Sequence, residues 1–309
     1  MKRIVRCFAS ISCGVLLGLG LMFTTNVAFG ADDHVSRVLE ENKTYEGFMN
    51  SDEVLSYEEL VSMPGGSITN EAQLLQELKT KEKATLKSMG IPEKDINELK
   101  TKSVKELVLD NAASLSDTEL LEKGLSQETV YNIKQGQYDA VSENDMMRAA
   151  ANMAFRIGSA ARAGTSCNYN IFWAWNSKPF TKYTDYVAGE ISDGYWITGQ
   201  SQAVITYSDE AGVLSDTTDR IYPVQATNDG VCFKFPMQKA TSSGPRYCRA
   251  GKAFVATAGN YSPNGPLLAN ASYFHSWTPN GLTISVGYGP ISYSGRGSCE
   301  GSATYHIYK

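Results

Sequence analysis

Residues 167–175 read CNYNIFWAW, and this stretch decides how the second half of the chain folds. Side chains alternate between the two faces of a β-strand, so Tyr169, Ile171, Trp173 and Trp175 share one face. Four large apolar side chains on a single face predict a strand that packs into a hydrophobic core. The rest of the chain is analysed outward from this strand.

Downstream of this strand, alternating and aromatic-rich segments are separated by turn residues. The clearest hairpin signal is Asn280-Gly281, a pair that supplies the positive φ angles of a tight turn. Strands are predicted near residues 168–175, 180–188, 194–198, 202–208, 219–226, 231–237, 247–257, 271–278, 282–288 and 302–308. Strands that follow one another without helices indicate an antiparallel β-sandwich or barrel over residues 166–309.

Upstream of this strand, residues 31–165 carry a helical pattern with recurring start and stop signals. The candidate N-cap residues include Ser103, Ser116, Ser126 and Ser142. The last helix is predicted to run from Met146 past Ile157 and to stop at Gly164, because apolar residues recur there at helical spacing.

The helical region contains a short internal repeat. GIPEKDINELK at residues 90–100 matches GLSQETVYNIK at residues 124–134, an offset of 34 residues. Both copies place a glycine after one helix, an apolar residue beside it and two more apolar residues in the next helix. This period predicts stacked pairs of short helices.

The N-terminal residues 1–30 have the pattern of a signal peptide. Basic residues among the first six precede an apolar run over residues 11–23, which is shorter than the roughly 20 residues of a membrane-spanning helix. Ala28 and Gly30 then supply the small residues of a cleavage site before Ala31. We therefore expect a secreted product without a membrane span once the signal is removed.

Four cysteines follow the predicted signal peptide. An even number of cysteines in an exported chain predicts disulfides. We expect Cys232–Cys248 to close a hairpin-sized segment and Cys167–Cys299 to join the first strand to the last. Buried, reduced thiols are the alternative.

The charge is unevenly distributed. Residues 31–165 hold 24 acidic and 15 basic residues, whereas residues 166–309 hold 9 acidic and 10 basic residues. An acidic helical half and a nearly neutral β half lack the basic surface that nucleic acid requires. Nucleic acid is therefore not an expected partner.

Motifs for catalysis or cofactor binding are not apparent. The sequence around Ser201 lacks the final glycine of a hydrolase nucleophile elbow. His34, His275 and His306 are too scattered for a zinc motif. Neither a metal nor an organic cofactor is predicted. Two carboxylates among Asp185, Glu190 and Asp193 could serve a hydrolase, although solvated loop carboxylates are the simpler interpretation.

The aromatic residues give the candidate binding site. Tyr273, His275 and Trp277 share one face of a predicted strand, with rings spaced about 7 Å apart. Together with Tyr195 and Trp196 they could stack on a sugar or a peptide. The alternative interpretation places the same rings in the core.

The sequence as a whole favours an extracellular binding protein with a small helical region and an all-β domain. Its expected partner is an envelope polymer, a glycan or a protein. Two alternatives stay open: a secreted hydrolase that uses carboxylates, and an exported toxin or antimicrobial factor with a helical pro-region.

Overall fold

The computed structural model describes residues 31–89, 91–163, 166–180, 183–191, 196–209, 216–259, 267–276, 282–286, 291–295 and 297–307. A helical N-terminal region is followed by antiparallel β-sheets arranged as a sandwich. In the described part of the chain the sheets remain open, so the barrel alternative is not realised.

Short helices dominate residues 31–149. They are α1 (Ala31–Glu41), α2 (Tyr45–Asn50), α3 (Tyr57–Ser62), α4 (Glu71–Thr80), α5 (Lys83–Ser88), α6 (Glu93–Thr101), α7 (Val104–Ala112), α8 (Asp117–Glu122), α9 (Gln127–Lys134) and α10 (Glu143–Ala149), with a 3₁₀ turn at Tyr138–Ala140. The four predicted serine N-caps are confirmed, since each hydroxyl accepts a hydrogen bond from the backbone N–H of the residue three positions later. No helix among the described residues is long and apolar enough to cross a membrane.

Helices α4–α10 enclose one apolar cluster. The positions related by the 34-residue offset are buried in this cluster: Leu86 and Leu120, Ile91 and Leu125, Ile96 and Val130, Leu99 and Ile133. Two lysines at that offset also make corresponding contacts. Lys100 Nζ donates to the carbonyls of residues 79 and 81, and Lys134 Nζ donates to those of residues 113 and 115. The repeat itself stays an interpretation of the sequence.

The strands of the sandwich are β1 (Ser67–Asn70), β2 (Asn152–Ala163), β3 (Ser166–Trp175), β4 (Thr184–Ile191), β5 (Trp196–Ile197), β6 (Gln202–Ser208), β7 (Thr217–Ile221), β8 (Gln225–Ala226), β9 (Gly230–Pro236), β10 (Gln238–Thr241), β11 (Gly244–Val255), β12 (Thr257–Ala258), β13 (Leu267–Ser276), β14 (Leu282–Ser285), β15 (Ser292–Gly295) and β16 (Gly297–Ile307). One sheet has the order β1-β2-β3-β11-β6-β7, with β5, β10 and β12 attached. The second has the order β16-β13-β4-β9-β8, and β14 pairs with β15. All of these pairings are antiparallel.

The main core lies between the two large sheets. As the sequence predicted, Tyr169, Ile171, Trp173 and Trp175 all point into it. The Trp173 ring stacks on Phe235 of the opposite sheet, with ring centroids 5.5 Å apart. Such contacts explain why large apolar residues alternate along β3: every second side chain fills the space between the two sheets.

The outer face of the larger sheet is covered by helices α1–α3. Val38, Leu55 and Leu60 pack on Phe172, Ala174 and Ala250. Farther along the sheet, Phe48 packs on Val204 and Phe254. The sheet is therefore apolar on both faces, which is why several of its strands lack a clean polar alternation.

The boundary between helices and strands differs from the prediction. Helix α10 ends at Ala149, and residues 152–163, predicted to continue the helix, form strand β2. Met153, Phe155 and Ile157 point into the main core at strand spacing. Long-range pairing with β3 overrides the helix-favouring composition of this segment. Strand β1 also lies inside the region predicted to be helical.

The predicted Cys232–Cys248 disulfide is wrong for this structure, in which both thiols are free and buried. Cys248 faces the main core, whereas Cys232 lies in a separate cluster with Tyr186 and Phe274. Because the two side chains lie in different layers, the sulfurs cannot reach bonding distance. Cys167 is also buried. The side chain of Cys299 lies outside the described residues, so Cys167–Cys299 stays a prediction.

Candidate ligand-binding groove

A β-bulge in β11 directs Arg249 away from the sheet. Cys248 pairs with Tyr207 and Ala250 pairs with Thr206, so Arg249 is the extra residue between these pairs. Cys248 faces the core and Ala250 packs beneath the N-terminal helices. Bulges re-aim side chains in this way, often beside functional sites. Here the bulge places the Arg249 side chain at the junction of sheet and helices.

Arg249 lies at the meeting point of two cavities. One has a volume of about 400 Å³ and is lined by residues from α3, α8, α10, β1, β2 and β11. The other has a volume of about 290 Å³ and shares Tyr57, Glu58 and Arg249 with the first. We call the larger cavity the Arg249 groove. Its charged lining residues are Glu58, Glu119, Glu122, Lys123, Arg148 and Arg249.

Glu119 is the carboxylate nearest to Arg249 among the described residues. Its Oε1 lies 3.9 Å from an Arg249 guanidinium nitrogen, beyond hydrogen-bond distance. Its Oε2 is already engaged, because it accepts hydrogen bonds from the Ser116 backbone N–H and hydroxyl at the start of α8. The guanidinium therefore keeps donors available to the groove.

Lys123 supplies a second cation to the groove. Among the described residues, its Nζ has one hydrogen-bond acceptor, the neutral carbonyl of Ala150 at 2.9 Å, where α10 ends. Burial lowers the Lys123 pKa to about 7, because removal of water disfavours the charged form, and the nearby Arg249 adds repulsion. The lysine side chain itself stays partly exposed.

Three asparagines line the groove beside these charges. Asn70 Nδ2 donates to Asn152 Oδ1 at 2.7 Å and to the Met147 carbonyl at 3.2 Å. Asn176 Oδ1 accepts from the Asn152 backbone N–H at 2.8 Å. These bonds hold the amides in place, so this side of the groove is polar before any ligand arrives.

The aromatic residues proposed from the sequence lie elsewhere. Tyr273 and His275 do share a face, but they are buried, with exposed fractions of 0% and 2%. The prediction that these two face solvent is wrong, because the face they share is the one that packs against Trp173 and Trp175. Trp277, Tyr195 and the side chain of Trp196 lie outside the described residues, so their part in a binding surface stays a prediction.

Tyr273 and His275 instead surround a buried carboxylate. The Tyr273 hydroxyl donates to Asp185 and accepts from Trp175 Nε1 at 3.2 Å. His275 Nδ1 lies 2.6 Å from the other Asp185 oxygen. Burial and the Asp185 charge raise the Tyr273 pKa well above its ordinary value. This network supplies partners for a carboxylate that is completely buried.

The carboxylates considered for a hydrolase do not converge. On β4, Val187 and Ile191 face the main core whereas Tyr186 and Ala188 face the opposite side. Asp185 lies on the core face and Glu190 on the other, where its side chain accepts from Asn270 at 2.8 Å. Asp193 lies outside the described residues. This geometry removes Asp185 and Glu190 as a catalytic pair.

Sequence reasoning missed Arg249 and Lys123. Arg249 occupies a predicted strand, and a bulge is set by pairing with a distant strand that the sequence does not display. Lys123 belongs to the segment between α8 and α9, where a lysine is ordinarily a solvated residue. The groove depends on contacts among segments more than a hundred residues apart, which local patterns do not reveal.

Comparisons with known proteins identify no family. No family model matches the chain, and no curated protein matches it. Among solved structures, the collagen-binding domain from a Staphylococcus aureus adhesin is 8% identical with a TM-score of 0.29, over 49% of this chain and 95% of that one. ACE19, the collagen-binding subdomain of the Enterococcus faecalis surface protein ACE, is 8% identical with a TM-score of 0.25, over 48% and 91%. Likenesses with such TM-scores carry no argument about the ligand.

Proposed function

We propose that the protein is an extracellular binding protein and that its ligand occupies the Arg249 groove. The observation that carries the proposal is the bulge in β11, which delivers an incompletely paired guanidinium into a cavity of about 400 Å³. Cavities of this size lie within the range that accommodates small ligands or short segments of a polymer.

The construction of the groove also supports binding. Its polar groups come from separate elements: α3, α8, α10 and the sheet. The asparagine hydrogen bonds hold one side in a single arrangement, which reduces the ordering cost when a ligand binds. The signal-peptide pattern supports an extracellular setting, where an envelope polymer, a glycan or a protein would supply the ligand.

The test compares binding by the wild type and by Arg249→Met to an immobilised cell-envelope preparation. Methionine keeps an unbranched chain but removes the charge and the donors. We expect the variant to lose at least tenfold in affinity while its melting temperature stays within about 2 °C of the wild type. Lys87→Met is the matched control, because Lys87 lies on α5, lines none of the cavities described here, and its side chain is 76% exposed.

Wild-type binding by Arg249→Met would overturn the assignment of the groove. The same holds if the wild type binds no better than the heat-unfolded protein. A loss shared equally by Lys87→Met would show nonspecific attraction between charges instead of recognition in the groove.

A further inference from the structure

We propose that the Arg249 groove recognises a short peptide whose two termini are both free, so that the ligand carries a carboxylate and an ammonium group. This inference rests on the proposed function and names the chemical class of the ligand. The carboxylate would lie between Arg249 and Lys123, and the ammonium would lie near the glutamates that line the same cavity.

The proposal of an anionic group on the ligand follows from the partners that Lys123 and Arg249 have in the structure. Among the described residues, Lys123 has one neutral carbonyl as acceptor, and Arg249 has one carboxylate oxygen at 3.9 Å. Both line one cavity. Neither cation lies within hydrogen-bond distance of a carboxylate among the described residues, and a carboxylate from a ligand would supply that contact. The planar guanidinium suits a carboxylate because two N–H groups can bind its two oxygens.

The proposal of a positively charged group on the same ligand follows from the glutamates that line the groove. Glu58, Glu119 and Glu122 line the cavity that also holds Lys123, Arg249 and Arg148, and Arg148 already forms an ion pair with Asp145. The combined charge of the glutamates repels a phosphate or a sulfated glycan more strongly than a single carboxylate. An ammonium close to the ligand carboxylate converts this repulsion into attraction. A short peptide with two free termini or an amino acid has this combination, whereas a neutral glycan has neither charge.

The size of the groove and its asparagines favour a peptide. About 400 Å³ accommodates a few amino-acid residues, and the neighbouring cavity of about 290 Å³ extends the available space. The Asn70 amide is already fully hydrogen-bonded, but Asn152 and Asn176 keep amide N–H groups that can donate to peptide C=O groups.

The test uses an equimolar library of tripeptides with free termini, incubated with the intact protein near pH 6.5 and measured by native mass spectrometry. Parallel libraries carry a C-terminal amide or an N-terminal acetyl group. We expect the free library to bind, amidation to lower occupancy at least tenfold, and acetylation to lower it severalfold. Arg249→Met and Lys123→Met should both lose the free library, whereas Lys87→Met should bind it as the wild type does.

Lys123 also contacts the end of α10, so the Lys123→Met variant is checked by thermal melting and by Lys123→Arg. Arginine keeps the positive charge, and it should restore much of the binding if charge is what the ligand requires. Equal binding of the free and amidated libraries would overturn the proposal, and so would displacement of peptides by equimolar inorganic phosphate.

The outcome separates this inference from the proposed function. If binding to the envelope preparation depends on Arg249 and no free tripeptide binds or competes, the proposed ligand class is wrong, but the assignment of the binding site to the groove is retained. If Arg249→Met binds the envelope preparation as the wild type does, the assignment of the binding site to the groove is wrong.

Discussion

Lys252 Nζ lies 2.8 Å from Oδ1 of Asn42, and both side chains are completely buried between helix α1 and the outer face of the larger sheet. The same ammonium donates to the Ser51 carbonyl at 2.9 Å and lies 5.0 Å from the centre of the Phe48 ring. A buried cation thus joins the N-terminal helices to β11.

Asn42→Ala is expected to destabilise the protein by about 3 kcal/mol. The substitution removes one of the two oxygen acceptors of a buried ammonium, and breaking such a partnership typically costs about 3–5 kcal/mol for a full ion pair and less for a neutral partner. Urea unfolding followed by tryptophan fluorescence measures the change. A cost below about 0.5 kcal/mol, the usual range for exposed sites, would show that water replaces the lost acceptor.

The stability contributed at Lys252 should depend on pH. Burial lowers its pKa in the folded protein to about 8, from an ordinary value of 10.5. Between these pH values the unfolded chain binds more protons than the folded one, so the free energy of unfolding rises with pH by up to about 1.4 kcal/mol per pH unit. The measurement is the difference between the wild type and Lys252→Met, at pH 7.5 and pH 9.5. A difference that stays constant would contradict the lowered pKa.

Tyr273→Phe should lower the free energy of unfolding by roughly 1–3 kcal/mol, because the fully buried Asp185 then loses a hydrogen-bond donor. Tyr131→Phe is the matched control, since Tyr131 is 60% exposed and its hydroxyl can bond to solvent. Chemical denaturation of both variants decides the matter. Equal losses in the two variants would show that the hydroxyl contact with Asp185 contributes nothing to stability.

Gly251 provides a test of the packing under Trp173. A Cβ added at this position would lie 2.2 Å from a ring carbon of Trp173, so Gly251→Ala forces the indole or the strand to move. We expect a loss of up to about 3 kcal/mol, the upper range for overpacked cores. Gly199→Ala should change stability by less than about 0.5 kcal/mol, because its Cβ would meet no atom within 4 Å. Thermal melts that show equal shifts would contradict the described packing.

Peptide affinity at the Arg249 groove should fall as the pH rises above about 7. The Lys123 ammonium is lost near that pH in the free protein, and an anionic ligand would raise its pKa, so the protonated form is the one that binds. The other charged groups that act on Lys123 are Arg249, Glu71, Glu119 and Glu58. Between about pH 6.5 and 7.5 the apparent Kd should rise by up to tenfold per pH unit in the wild type and stay nearly flat in Lys123→Arg, whereas at higher pH both proteins lose affinity because the ligand's own ammonium, with a pKa of about 8, is deprotonated. A flat profile for the wild type would exclude a role for this ammonium.

The parts of the structure that could be predicted from the sequence are those that depend on local chemistry. Serine N-caps follow from a side chain and the backbone three residues later, and the core face of β3 follows from two-residue alternation. Strand β2 was missed because pairing with β3 determines its conformation. The prediction of a disulfide between Cys232 and Cys248 was wrong for a similar reason. Chain separation suggested proximity, but the layer that each sulfur faces depends on the register of both sheets.

The burial of Tyr273 and His275 could not be predicted from the sequence for the same reason. Their alternation was predicted, yet only the assembled sandwich determines which face of β13 packs against β3. The Arg249 groove could not be foreseen at all, since it requires a bulge and helices from three separate segments.

The contact between Asn42 and Lys252 also has a consequence for the order of synthesis. These residues are 210 positions apart, so α1 is synthesised well before β11 and cannot complete its packing until β11 has followed. Contacts of such long range are slow to form. During that interval the apolar side chains of α1–α3 lack the sheet face that buries them. Once β11 has docked, the N-terminal helices become hard to withdraw, so cutting the chain after α3 should leave the two pieces associated.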